Sequence, residues 1–154
     1  MDLRRLFDDL VRFETDLWNG VDARLQQECG LSLGSLDVMS VVARTPSCRV
    51  NDIAAALSIT VGGASQAVDR ISARGNLLRR PNPADRRSSV VELTPVGRER
   101  VETARRVFDQ ELDRRFRGPL GESELDRLGS ALAALRAAGT APSGVPSLEG
   151  EADE

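Results

Sequence analysis

The chain has no histidine, no lysine and no tyrosine, and aromatic residues make up only 3% of its 154 positions. Histidine is the commonest general base and the commonest transition-metal ligand, so its absence argues against most hydrolytic and metal-dependent chemistry. A serine or cysteine triad would need an unusual base, and the sequence contains no phosphate-binding loop and no metal-ligand spacing. We therefore expect a protein that is not an enzyme and that carries no cofactor or metal.

Cysteine and long apolar runs are also scarce. Two cysteines are too few for a disulfide framework. No apolar run approaches the roughly 18 residues that a membrane span requires, and the N-terminal residues mix both charge signs where a signal peptide would be apolar. The length suits one domain with one sizeable core. These features predict a cytoplasmic protein that does not enter the membrane.

The net charge of −3 is distributed unevenly along the chain. Residues 139–154 contain four acidic residues and no basic residue, and we expect this acidic tail to be disordered. Residues 58–87 contain six arginines against two aspartates. A concentrated basic segment attracts phosphate even when the whole molecule is acidic, which makes nucleic acid the expected partner of this segment.

Apolar residues recur every three or four positions towards both ends of the chain. They form one stripe over residues 3–29, where Gly30 is suited to end the helix. A second long helix is predicted over residues 95–116, and a last one over residues 122–138 carries leucines at coiled-coil-like spacing. Long apolar outer helices need a partner surface, part of which a second copy of the chain can supply.

The middle of the chain contains short helices separated by tight turns. Helices are predicted over residues 36–44, with Ser35 as the cap, and over residues 50–57. A third helix begins after Thr60, whose side chain can cap the free amides, and ends before Gly75. Two helices joined by a brief turn form a helix-turn-helix unit, whose second helix enters the major groove of DNA.

The helix after Thr60 carries a polar face opposite its apolar residues. Short or amide side chains in its first half suit contacts with base edges, and arginine suits guanine or phosphate. The residues that we assign to contacts with double-stranded DNA on this segment are Thr60, Ser65, Gln66, Asp69, Arg70 and Arg74.

A β-rich hairpin follows this helix. Residues 81–84 are turn-forming and residues 88–93 favour a strand, so the triplet Asp85-Arg86-Arg87 is expected at the tip. An arginine at such a tip reaches the minor groove, where narrow A·T tracts concentrate negative potential. The carboxylate of Asp85 can hold the Arg87 guanidinium in one rotamer. The alternative interpretation is a solvated charged turn.

The segment LRRPNPADRRSSVVELTPVGRE resembles the wing signature of the MarR family of winged-helix transcriptional regulators. Members of that family show D-x-R in the wing and L-T-x-x-G at the next helix, matched here by Asp85, Arg87, Leu93, Thr94 and Gly97. DIAAALSI resembles the first helix of the family's DNA-reading pair, and VDRISARGNLLRR resembles the end of its recognition helix. The element order is similar over residues 3–138, and the specific motifs lie within residues 52–98.

The resemblance implies a mainly α fold with a small two- to three-stranded β wing, as a single domain over residues 1–138. Residues 31–98 would form the winged helix-turn-helix lobe, and residues 1–30 and 99–138 the dimerisation helices. It also implies a homodimer on a pseudopalindromic operator and, as in many relatives, a repressor released by a small anionic or phenolic ligand. By analogy Arg87 enters the minor groove, whereas Asp69 could instead brace the wing or another arginine.

Three alternatives concern control of the protein or a different function. Trp18 could line a ligand pocket, although a core or dimer-interface role on the apolar stripe is commoner. A redox-responsive regulator would need an accessible thiolate, which Arg49 favours at Cys48 and Glu28 disfavours at Cys29. The rival from another class is a helical protein-interaction module that no longer binds DNA.

Overall fold

The computed structural model describes residues 1–139, which form six α-helices, a short π-helical segment and one two-stranded antiparallel sheet. In chain order the elements are α1 (Leu3–Cys29), α2 (Leu33–Arg44), α3 (Val50–Leu57), α4 (Val61–Ala73), β1 (Leu77–Asn82), β2 (Asp85–Leu93), α5 (Pro95–Leu112), the π-helical segment (Asp113–Arg117) and α6 (Glu122–Gly139). The predicted mainly α fold with a small β wing is confirmed. Residues 140–154 of the expected acidic tail lie outside the described residues.

The chain forms two compact units. The first spans residues 1–115 and contains helices α1 to α5 with the β-hairpin. The second begins at Phe116 and contains α6, in which no residue is buried. No helix in the described part of the chain is long and apolar enough to cross a membrane.

The predicted ends of several helices are confirmed by short-range contacts. Gly30 follows α1 with a left-handed φ of 63°, which glycine adopts without strain. Thr60 Oγ1 accepts the Gly63 N–H at 3.0 Å, and Thr94 Oγ1 accepts the Gly97 N–H at 2.9 Å. These bonds satisfy amides at the start of α4 and α5 that have no partner within the helix.

The predicted start of α2 is wrong, because the helix begins at Leu33 and not at residue 36. Ser32, rather than Ser35, is the cap, and its Oγ accepts the Ser35 N–H at 3.1 Å. Asp22 Oδ1 on α1 accepts the Leu33 N–H at 2.7 Å. This long-range contact satisfies a further amide at the helix start, and the local sequence pattern contains no sign of it.

The hydrophobic core lies within the first unit and receives side chains from all five of its helices and from the hairpin. Its most deeply buried large side chains include Leu25, Leu31, Met39, Ile53, Val68, Val91 and Val101. The Val91 N–H also donates to the Cys48 backbone oxygen at 2.7 Å, which joins β2 to the loop between α2 and α3. This hydrogen bond and the burial of Val91 in the core fix the hairpin against the helix-turn-helix.

Candidate nucleic-acid interface

The helix α4 presents different residues to the core, the solvent and its two flanks. Its buried side consists of Ala64, Val68 and Ile71. The side chains of Gln66 and Asp69 are exposed on the opposite side, as the 100° step of a helix requires. Arg70 and Arg74 lie on the flank that faces α1 and α2, whereas Ser65 lies on the flank that faces the hairpin.

Arg79 on β1 ties the hairpin to α4. Its Nη2 donates to Asp69 Oδ1 at 2.9 Å and to Ser65 Oγ at 3.1 Å, and its Nε donates to Asp69 Oδ1 at 3.2 Å. The prediction that Asp69 can brace an arginine is confirmed. The contact neutralises the one carboxylate on the exposed side of α4 and holds the helix and the hairpin in a single orientation.

Sequence reasoning missed Arg79 as a site residue. Arg79 lies ten residues after Asp69, and only the packing of β1 beside α4 brings the two together. Its position in the strand that follows α4 was the one available signal, and the neighbouring Arg80 carries the same signal. Arg80 instead pairs with Glu92 across the sheet at 2.8 Å.

The predicted position of the Asp85–Arg87 triplet is wrong, because the hairpin turns at Pro83 and Ala84 and the triplet opens β2. Asn82 causes the earlier turn, since its Oδ1 accepts the Ala84 N–H at 3.0 Å. In the sheet, Asn82 lies opposite Asp85 whereas Pro81 lies opposite Ser89, so the strand register shifts between Pro81 and Asn82. The arginines therefore lie beside the tip, in the irregular part of the sheet.

The predicted role of Asp85 is also wrong. Its Oδ1 accepts the backbone N–H of Arg87 at 2.9 Å and does not hold the guanidinium group. An aspartate reaches the amide two residues ahead more easily than a long side chain, which is the usual geometry of an Asx turn. Within residues 1–139, neither Arg86 nor Arg87 forms an ion pair, and both are exposed.

A cleft of about 380 Å³ separates the hairpin from the helix-turn-helix. Arg49 and Asn51 line it at the start of α3, and Val61 and Ser65 line it on α4. Arg87 lines the β2 side together with Asp85, Ser88 and Ser89. Basic and small polar side chains from three elements therefore converge on the surface that α4 and the hairpin share.

A cavity of about 520 Å³ lies on the other flank of α4. Trp18 of α1, Asp37 of α2 and Arg70 of α4 line it, together with apolar groups that include Leu57 and Ile59. Trp18 is 46% exposed, and it does line a pocket as considered from the sequence. Burial raises the pKa of Asp37, and the charge of Arg44 opposes this effect only in part.

The environment of Cys48 contradicts the sequence-based expectation, whereas that of Cys29 agrees with it. Cys48 is buried, and burial followed by the charge of Asp52 raises the pKa of its thiol, against a smaller lowering by Thr45. The prediction that Arg49 favours the Cys48 thiolate is wrong, because the Arg49 guanidinium lies 3.7 Å from Asp52 instead. Burial and the charge of Glu28 raise the pKa of Cys29, which confirms that Glu28 disfavours its thiolate.

A helix-turn-helix followed by an arginine-bearing two-stranded hairpin defines a winged helix-turn-helix protein. Residues 30–88 match a family model described as MarR family. The chain is 30% identical over 123 residues to the HTH-type transcriptional regulator BilQ of Clostridium symbiosum, an alignment that covers 80% of this chain and 84% of the relative. The chain belongs to the MarR family of winged-helix transcriptional regulators, as its wing motif predicts.

Solved structures of other family members share the fold. A MarR family regulator from Streptomyces coelicolor, determined in complex with DNA, superposes with a TM-score of 0.80 at 22% identity, over 91% of this chain and 88% of that chain. CouR from Rhodococcus jostii, bound to p-coumaroyl-CoA, superposes with a TM-score of 0.68 at 21% identity, over 82% of this chain and 87% of that chain. At these identities the similarity establishes the fold alone.

Proposed function

We propose that this protein is a non-enzymatic, homodimeric repressor that binds a specific operator and is released from it by a small anionic or phenolic ligand. One observation carries the DNA-binding part of the proposal. Arg86 and Arg87 are exposed and unpaired within residues 1–139, while Arg79 holds their hairpin against α4. A rigid pair of elements can enter two adjacent grooves with little loss of conformational freedom.

In this proposal the exposed side of α4 enters the major groove, where the Gln66 amide can pair with adenine. Arg86 and Arg87 extend into the adjacent minor groove. Arg70 and Arg74 lie on the flank of α4, where they suit phosphate contacts rather than base contacts. The ion pair between Asp69 and Arg79 removes the repulsion that a free carboxylate would exert on phosphate.

Exposed apolar residues support the homodimer. The first two-thirds of α1 lacks buried residues and exposes Leu3, Leu6, Phe7, Leu10 and Phe13. α6 exposes Leu132 and Leu135. Exposed apolar residues at helical spacing on one helix are typical of an interface between chains. Two copies related by a twofold axis would present two α4 helices to the half-sites of a pseudopalindromic operator.

The cavity beside Trp18 supports release by a ligand. Its volume suits a small organic molecule. Trp18 can stack on an aromatic ring, and Arg70 can pair with a carboxylate or phenolate. Because Arg70 belongs to α4, a ligand that binds it is coupled to the DNA-reading helix. Quenching of Trp18 fluorescence by small aromatic acids that also release a labelled duplex would support this part of the proposal.

Arg87→Ala is expected to weaken DNA binding about tenfold and to lower the slope of log affinity against log salt by about one. The substitution removes one cation from the minor groove and leaves the Arg79 contacts in place. Fluorescence anisotropy with duplexes from the DNA that flanks the gene, measured from low salt to about 0.1 M, gives both quantities. Arg98→Ala on α5 is the control, and it should change neither. An unchanged salt slope for Arg87→Ala would remove its minor-groove assignment.

DNA binding itself is tested by selection of bound sequences from a random duplex library. Enrichment of a pseudopalindrome supports a sequence-specific regulator. Failure to enrich any sequence would favour the helical protein-interaction module. If a sequence is enriched but flanking DNA does not bind, regulation of the chain's own gene is wrong and the DNA-binding function stands.

Leu10→Glu is expected to convert the homodimer into single chains and to weaken operator binding by more than tenfold. A carboxylate on the apolar side of α1 would be desolvated without a partner in the dimer. Sedimentation equilibrium distinguishes one 16.7 kDa chain from two. Arg12→Glu places the same residue on the opposite side of α1 and should leave the dimer intact. A parent protein that sediments as a stable folded monomer would contradict the proposal.

A further inference from the structure

A second cavity, of about 360 Å³, lies between the start of α2 and the end of α4. It borders the cavity beside Trp18, with which it shares Arg70, Ile71 and two serines. Its lining is predominantly polar. The polar residues that line it are Gln26, Ser32, Ser35, Arg70, Arg74 and Asn76.

Asn76 has an unusual environment in the wall of this cavity. The residue is fully buried, and neither Nδ2 nor Oδ1 of its carboxamide has a hydrogen-bond partner within the described residues. Its backbone is fully used, since its N–H donates to the Ile71 oxygen at 3.3 Å and its oxygen accepts the Thr94 N–H at 3.1 Å. A buried carboxamide without partners costs free energy, so a polar group in the cavity would stabilise it.

The electrostatics of the cavity favour an anion. Arg70 and Arg74 are one helical turn apart on the same flank of α4, and neither forms an ion pair within residues 1–139. The start of α2 also borders the cavity, but the Asp22 carboxylate accepts its Leu33 N–H at 2.7 Å, so the two arginines supply the positive charge. None of the residues that line the cavity is acidic. Two cations therefore face the same space, and no acidic residue lines it.

We propose that this cavity binds one oxyanion group, a phosphate or a carboxylate, between Arg70, Arg74 and Asn76. The guanidinium groups donate to the oxyanion, and Nδ2 of Asn76 donates alongside them. A hydrogen phosphate can also donate its own hydroxyl to Oδ1, which satisfies both atoms of the carboxamide. The anion is either part of a free small molecule or a phosphate of bound DNA. Because Arg70 lines both cavities, the occupant of this site acts on the same side chain as a ligand beside Trp18.

The test is a titration of the ¹⁵N-labelled full chain with inorganic phosphate, with chloride exchanged to hold the ionic strength constant. We expect saturable shifts of the Asn76 carboxamide and of the backbone amides around Ser32. Arg74→Gln is expected to weaken phosphate binding about tenfold, as the loss of one charge-assisted hydrogen bond implies. Arg98→Gln, which removes an exposed arginine that does not line the cavity, should leave phosphate binding unchanged.

A second titration with a mixed-sequence duplex at low salt identifies the source of the anion. Phosphate that still saturates the Asn76 signals in the DNA complex indicates a free anion. A duplex that shifts these signals by itself and competes with phosphate indicates the DNA backbone. Absence of a saturable shift in both titrations, or equal weakening by Arg74→Gln and Arg98→Gln, would overturn the proposal. Phosphate binding without DNA binding would leave this inference intact and contradict the proposed function instead.

Discussion

Replacing Glu111 by glutamine is expected to lower the free energy of unfolding by about 3 kcal/mol at neutral pH. Glu111 on α5 is only 2% exposed, and its carboxylate accepts hydrogen bonds from three arginines. Arg114 donates at 2.5 and 3.0 Å, Arg115 donates at 2.8 Å, and Arg24 of α1 donates at 3.0 Å. Glutamine keeps the shape of the side chain but leaves three guanidinium groups without their shared counter-charge.

The effect of Glu111→Gln depends on pH with a definite sign. The hydrogen bonds from Arg114 first, and then those from Arg115 and Arg24, lower the pKa of Glu111 from 4.5 to about 2, against the opposing effect of burial. A lowered pKa in the folded state means that the stabilisation is complete above the unfolded value of 4.5 and is lost as the pH falls towards 2. Urea unfolding of both proteins should therefore show a constant difference near neutral pH and a shrinking one below pH 4.5.

Glu28→Gln is the matched control for this experiment. Glu28 accepts from the same Arg24 at 2.8 Å, but its side chain is 44% exposed. Solvent screens an exposed pair of this kind, so we expect a loss of less than about 1 kcal/mol. Equal losses for the two substitutions, or a Glu111→Gln loss that persists unchanged to low pH, would contradict the assignment of Glu111 as the charged contact between α1 and α5. Both comparisons require equal protein concentrations, because the proposed dimer would contribute to the measured stability.

Gly97→Ala is expected to destabilise the fold by about 2–3 kcal/mol. Gly97 lies in the buried first turn of α5, and a Cβ there would lie 2.1 Å from the carbonyl oxygen of Asn76 and 2.9 Å from its carbonyl carbon. These are backbone atoms, and the oxygen already accepts the Thr94 N–H at 3.1 Å. Relief of the overlap would require α5 to separate from the segment that leads into β1. Thermal unfolding followed by circular dichroism measures the loss.

Gly62→Ala provides the opposite case. Gly62 lies in the first turn of α4, and a Cβ at this position meets nothing within 4 Å. Alanine restricts the unfolded chain and favours the helix, so we expect a gain of about 0.5 kcal/mol. A loss of stability for Gly62→Ala comparable to that for Gly97→Ala would show that the close approach to Asn76 is not the cause.

The helix ends and the order of elements were predictable because their chemistry is local. Thr60 and Thr94 cap amides three residues ahead, and Gly30 ends α1 through its own φ. The start of α2 was predicted wrongly because Asp22, eleven residues before Leu33, satisfies one of its amides. Such a contact exists only after α1 has packed against α2.

In the candidate site, too, the sequence predicted the local features, and the tertiary structure decided the contacts between distant residues. The polar side of α4 follows from periodicity, and the presence of two arginines in the hairpin follows from the wing motif, although not their position at the start of β2. The partners of those charges do not, since Asp85 binds a backbone amide and Asp69 binds Arg79. Cys48 was judged by its sequence neighbour Arg49, whereas its burial decides its pKa.

The sequence by itself determined the helices, the hairpin and the family, because capping, periodicity and a wing motif each depend on residues a few positions apart. Only the tertiary structure decided which charges are neutralised and which remain available. Glu111 lies 87 residues from Arg24, and Asn76 lies in the wall of a cavity whose other side belongs to α1 and α2. Electrostatic energy and burial depend on distance in space, and that distance is set when the helices pack.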